Sequence, residues 1–237
     1  MKENSPEPLY SDIAIVLIHV LGIAYFGLLT GSFLCGFFSL PLPQAQGVLS
    51  DSLIVLCFLT AVLAFCSLSL SSHIARRSLR SEQVTAMALI AASTISFVYF
   101  QFYHDKWTSR MYMLFFGLVA VQSVRHMIQS ETSFPKACVW YGLLGFIPAV
   151  HALLWPSTCR MPMITNFITY LTLNAIGGFA YVIRVPERLA GLVSNSISKI
   201  FMHASFIMTA SFFAGALLVG HESNTALTVD ECKGWKW

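Results

Sequence analysis

The run IAIVLIHVLGIAYFGLLTGSFLCGFFSL, residues 13–40, decides the fold class. It holds no Asp, Glu, Lys or Arg, and about 20 apolar residues already suffice for a helix to cross a bilayer. The run follows the acidic stretch KENSPEPLYSD, residues 2–12, and is too long for the apolar core of a cleaved signal peptide. It therefore reads as a retained first span. Six further apolar runs follow, at 52–72, 84–103, 111–123, 137–155, 163–185 and 200–219. The fourth is short and extends through Met127 if Arg125 snorkels to the interface. Between them lie short polar separators: PLPQAQ, HIARRSLRSE, HDKWTSR, QSETSFPK, PSTCRMP and PERLAGLVSN. Links this short predict that consecutive spans are mostly antiparallel neighbours.

Composition agrees. Of the 237 residues, 56% are hydrophobic and 11% charged, against about 25% charged in soluble domains. The reading is an all-α membrane protein, a seven-transmembrane-helix bundle over 13–219, with polar tails at 1–12 and 220–237. It is multi-pass, in an endomembrane or the plasma membrane. The net charge of +3 is too small for a nucleic-acid partner. The partners implied are the membrane and an apolar small molecule or lipid.

Basic residues set the orientation. With the N-terminus cytoplasmic, Lys2, Arg76, Arg77, Arg80, Arg125, Lys136, Arg184, Arg188 and Lys199 lie inside, nine of the 14 Lys and Arg. Lys106, Arg110, Arg160, Lys233 and Lys236 lie outside, and the C-terminus is extracytoplasmic. Cys159 and Cys232 then share the outer side, where a disulfide can form. Cys35, Cys57, Cys66 and Cys138 lie in or beside apolar runs and read as small hydrophobes. Gly27 and Gly31 form a small-residue face, with Gly22 and Gly36 nearby, expected to let span one pack closely within the bundle, with dimerisation as the alternative. Pro148 is expected to kink span five or to open its backbone hydrogen bonding locally.

Ionisable groups inside a membrane are costly and mark function. Asp12, His73, Glu82, Lys199 and His203 all fall toward the N-terminal, cytoplasmic side; His19 sits two turns into span one. His151 falls at the opposite side. Lys199 and His203 are four residues apart and share a helical face.

At this point the sequence resembles a known family, the adiponectin-receptor and haemolysin-III-like membrane proteins, also called the progestin and adipoQ receptor family. GGFAYVIRVPERLAG, residues 177–191, is similar to the family's link between spans six and seven. ALIAASTISFVYFQFY, residues 88–103, resembles its third span. FPKACVWYGLLGFIPAVHALL, residues 134–154, resembles its fifth. VLIHVLG, residues 16–22, resembles its first-span pattern, with His19 in place and Ile15 where Asn is typical. The resemblance implies a seven-helix bundle with a cytoplasmic N-terminus and a zinc ion near that side. The implied ligands are a His late in span two, an Asp opening span three, and two His four apart in span seven. It also implies hydrolysis of ceramide-like lipids.

The carry-over is partial. The second span-seven His falls on His203 and the first on Lys199. The span-three Asp falls on Glu82. The span-two His falls near Leu68, with His73 offset by more than a turn. Glu82, His203 and His73 are then the remaining metal candidates, with a cation beside them. A protonated Lys199 cannot ligate and repels a dication. On this reading zinc is disfavoured, and no other cofactor is implied. A Glu82–Lys199 pair beside His203 could instead do acid–base or nucleophilic chemistry without metal, with His19, Asp12 and Tyr99 lining the substrate site.

The function expected is an intramembrane hydrolase acting on an apolar substrate. That substrate is a lipid, or an epoxide-bearing polyketide or terpenoid intermediate of the kind handled by similar filamentous-fungal proteins. The alternative is a non-catalytic, receptor-like sensor or regulator of lipid or sterol metabolism.

Overall fold

A computed structural model describes residues 9–38, 42–75, 79–129, 134–154, 163–190 and 196–226. Cys159 and Cys232 lie outside the described residues. The elements are α1 (Leu9–Phe38), α2 (Leu42–Ala75), α3 (Leu79–Gln101), α4 (Lys106–Gln129), α5 (Phe134–Leu154), α6 (Met163–Ile183), the short α7 (Val185–Ala190) and α8 (Ser196–Ala226). Seven of these helices, all but α7, are long and apolar enough to cross a membrane, so the chain is an all-helical, multi-pass membrane protein. Each apolar run becomes one helix because, without water, only a helix satisfies its own backbone polar groups. The fourth span runs from Lys106 to Gln129, well beyond its short apolar centre. α5 continues through Pro148.

Consecutive spans pack side by side, as the short links require, and α8 closes the bundle against α1, α2 and α6. α3 is the hub: it touches α2, α4, α5, α6 and α8. That explains its composition. Ser93, Thr94 and Ser96 are buried on α3, and small hydroxyl residues can bond back to their own helix. Ser93 Oγ and Thr94 Oγ1 lie 2.7 and 3.0 Å from the carbonyls of Leu89 and Ile90.

Aromatic rings fill the bundle between its two ends. Phe97 of α3 stacks on Phe167 of α6 with centroids 4.0 Å apart and nearly parallel planes. Phe213 of α8 lies against Tyr170 and, edge-on, against Phe58 of α2. All five rings are buried. Offset and edge-to-face pairs of this kind add about 0.5–1.5 kcal/mol each beyond their buried area.

Close helix approach occurs at other glycines than Gly27 and Gly31. A Cβ at either of those would meet nothing within 4 Å, so they do not pack within the bundle. On α1 the tight point is Gly22, where a Cβ would lie 3.1 Å from Ile207 Cδ1 and 3.2 Å from Cys66 Sγ. On α6 it is Gly177, where a Cβ would come within 2.8 Å of Ser205 Cβ. Cys66 is buried as expected, whereas Cys35 and Cys57 are exposed on the outer faces of α1 and α2.

Candidate functional site

Four helix ends meet at one end of the bundle. His73 lies in the last turn of α2 and Glu82 in the first turn of α3. His203 is two turns into α8, and Asp12 opens α1. The helical register carries each side chain inward. Ser69, Ser72 and His73, spaced i, i+3, i+4, share one face of α2, and that face meets Glu82. Ser69 Oγ donates to Glu82 Oε1 at 2.8 Å, and Ser72 Oγ lies 3.1 Å from Oε2. The carboxylate is thereby fixed at both oxygens. His203 Nε2 stands 4.0 Å from Glu82 Oε1.

His73, Glu82 and His203 each present one ligand atom, and these atoms lie within 4.8 Å of one another. Two His and one Glu form the donor set of several hydrolytic zinc sites. Ligand atoms around a tetrahedral zinc lie roughly 3.3 Å apart, so small side-chain movements would complete the cage. His203 is 2% exposed, and its Nδ1 is buried without a hydrogen-bond partner. Asp12 Oδ1 lies 3.9 Å from His73 Nδ1, behind the ring as carboxylates commonly stand behind ligating imidazoles. These residues fit a bound divalent metal.

On α2 it is His73 that comes together with Glu82 and His203. Leu68, the position the resemblance aligned with the span-two His, is 40% exposed and turned away from the cluster. α2 simply runs on past Ser72 to Ala75. His19 joins the group: its ring centroid is 4.9 Å from that of His203 and 6.2 Å from that of His73. Lys199, one turn before His203, is close enough for its charge to act on that imidazole.

Tyr99 does not belong here. It lies 17 positions beyond Glu82 on α3, about 25 Å at 1.5 Å per residue, at the opposite end of the bundle. There its hydroxyl donates to Asp51 Oδ1 at 2.5 Å. Asp51 is 1% exposed, and the neighbouring Ser52 Oγ lies 3.0 Å from His221 Nε2. Burial and the Asp51 carboxylate push the Tyr103 hydroxyl above its ordinary range. His151, expected apart from the cluster, is also at this end, 2.9 Å from the Tyr112 hydroxyl.

Sequence reasoning missed Ser69, Ser72 and Asp51. The signal for the two serines was the i, i+3, i+4 spacing with His73. Asp51 stood at the edge of an apolar run, where a carboxylate reads as a solvated end.

One further contact positions α8. Glu187 of α7, 1% exposed, accepts the Ser198 backbone N–H at 2.6 Å and the Ser198 hydroxyl. Burial acts to raise the Glu187 carboxyl, but the Ser198 donors outweigh it and hold the group below its ordinary value. This clasp fixes the turn that carries Lys199 and His203.

No protein-family model matches the chain, and no curated protein matches it.

Proposed function

We propose that the chain is a metal-dependent intramembrane hydrolase acting on an apolar substrate that enters from the bilayer. The observation that carries this reading is the convergence of His73, Glu82 and His203 at one end of a seven-span bundle. Those three residues would hold the metal, zinc by donor type. When bound, zinc supplies a Lewis acid that polarises a carbonyl and makes water nucleophilic near neutral pH. The chain's own groups do the rest. Ser69 and Ser72 hold Glu82 in place. Asp12 orients the His73 ring. The Lys199 ammonium stands beside the cluster and would stabilise negative charge developing on a substrate oxygen.

Around the site the bundle offers lipid-facing apolar side chains. Ile13 and Leu17 of α1 and Ile74 of α2 are all more than half exposed. A long-chain acyl or amide substrate can approach over these surfaces without entering water. The count of basic residues supports a cytoplasmic N-terminus, which puts the cluster on the cytoplasmic side.

Two measurements test the reading. Purified protein is assayed for metal and then incubated with total lipid extract, with release of free fatty acid followed by mass spectrometry. About one zinc per chain and fatty-acid release lost in Glu82→Gln are expected. Metal-free protein that still cleaves lipid would favour Glu82 as base or nucleophile with His203 as proton donor. Neither metal nor cleavage would favour the receptor-like alternative. For topology, a glycosylation acceptor fused to the C-terminus should be modified; modification at the N-terminus instead would reverse the orientation.

A further inference from the structure

His19 is fully buried on α1. Its Nδ1 lies 2.8 Å from the Ile15 carbonyl oxygen, so Nδ1 carries the proton and donates it. Nε2 is then left with a free lone pair. That atom is buried and has no hydrogen-bond partner. A buried polar atom left unsatisfied is destabilising, and a His whose other nitrogen donates to a backbone carbonyl is in the form that binds metals.

His19 stands just outside the set of His73, Glu82 and His203, whose ligand atoms lie within 4.8 Å of one another, with its ring beside both imidazoles. With metal–nitrogen bonds of about 2.0–2.1 Å, histidine rings around a tetrahedral zinc have centroids about 5 Å apart. The pairs His19–His203, His73–His203 and His19–His73 stand at 4.9, 5.6 and 6.2 Å. The fourth position implied by the resemblance is held by Lys199, which cannot ligate while protonated.

We infer that His19 Nε2 is the fourth protein ligand of the metal, making the site His19, His73, Glu82 and His203, with one ligand from each of α1, α2, α3 and α8. The inference rests on reading the cluster as a metal site. These four side chains would hold the metal from four different helices. They also tie α1, which packs on α2 and α8, into the site.

The test uses the full chain in detergent and cobalt(II) as the probe, with zinc competition for affinity. Wild type should bind one cobalt with the intense visible absorption of four-coordinate nitrogen and oxygen donors. His19→Gln should lower affinity by more than about 100-fold, the upper end of what loss of an outer-shell partner costs, and weaken the band. Lys199→His added to His19→Gln should recover both, because it returns a ligand one turn from His203; a merely structural His19 would not be rescued in this way. If His19→Gln lowers affinity through misfolding, the double variant stays impaired, and the inference fails. Unchanged affinity and spectrum in His19→Gln would also overturn it while leaving the three-ligand site intact. If wild type takes up no cobalt, the metal reading itself falls.

Discussion

Ser69 Oγ donates to Glu82 Oε1 at 2.8 Å, joining the last turns of α2 to the first turn of α3. This bond orients a carboxylate that would otherwise rotate in an apolar bundle. Partners that orient ligands typically contribute 10- to 100-fold in metal affinity. Ser69→Ala should therefore weaken zinc binding by about tenfold, read by competition with a chelating dye. Ser69→Thr, which keeps the hydroxyl, should largely preserve it. Equal affinity in all three proteins would remove Ser69 from the site.

Lys199 places a fixed positive charge beside a site for a dication. Replacing it with the uncharged Lys199→Met should tighten zinc binding by about tenfold, equivalent to about 1.4 kcal/mol. The same change should reduce lipid cleavage if the ammonium stabilises a developing oxyanion. Weaker zinc binding in Lys199→Met would mean that the lysine supports the site in some other way.

Glycines on α1 and α6 should respond in opposite ways. Gly177→Ala forces its new methyl into Ser205, whose Cβ is tied to the α8 backbone, and overpacking of this kind costs about 1–3 kcal/mol. Gly27→Ala and Gly31→Ala meet open space and gain helix propensity, so they should be neutral or slightly stabilising. Thermal unfolding in detergent separates these cases. Loss of stability in Gly27→Ala, together with loss of a dimer, would instead assign that face to a second copy of the chain.

Arg184 sits between α6 and α7 with φ at +59°, the left-handed conformation that non-glycine residues enter at a cost of about 1–2 kcal/mol. Arg184→Gly should raise the melting temperature. A drop would show that the arginine side chain makes a contact worth more than the backbone strain.

The Glu187–Ser198 clasp makes stability depend on acid. The folded-state pKa of Glu187 is depressed, so its contribution is present above the ordinary value of 4.5 and is lost as pH falls through the lower folded-state value. Glu187→Gln should melt a few degrees lower than wild type at neutral pH. The difference should close only below pH 4.5. A gap that persists unchanged at lower pH would mean that the charge of Glu187 is not what holds α8.

The seven spans were legible because apolar length is a strong signal and each long run has one outcome in lipid. Glu82 and His203 were legible as ionisable groups on the same side of the membrane. His73 was harder to place. Alignment by resemblance pointed to Leu68, and only the continuation of α2 to Ala75 brings His73 opposite Glu82. Tyr99 was misassigned because an aromatic hydroxyl on α3 carries no depth information by itself. Counting residues from Glu82 at the helical rise would have sent it to the far end. His19 was visible as a buried ionisable group, but its proton position depends on a backbone carbonyl one turn away. The packing role expected for Gly27 and Gly31 failed because small-residue spacing says where a helix can be approached, not which helix approaches it.

The aromatic layer of Phe58, Phe97, Phe167, Tyr170 and Phe213 separates the two polar ends of the bundle. The imidazoles and Glu82 stand on one side of it, and Asp51, Tyr99 and His221 stand on the other. Phe58, Phe97, Phe167 and Phe213 bring no hydrogen-bonding side-chain group to this layer, and the Tyr170 hydroxyl is bonded to Ser93 Oγ at 2.8 Å. The layer is thus a low-dielectric partition between the two polar ends among the described residues.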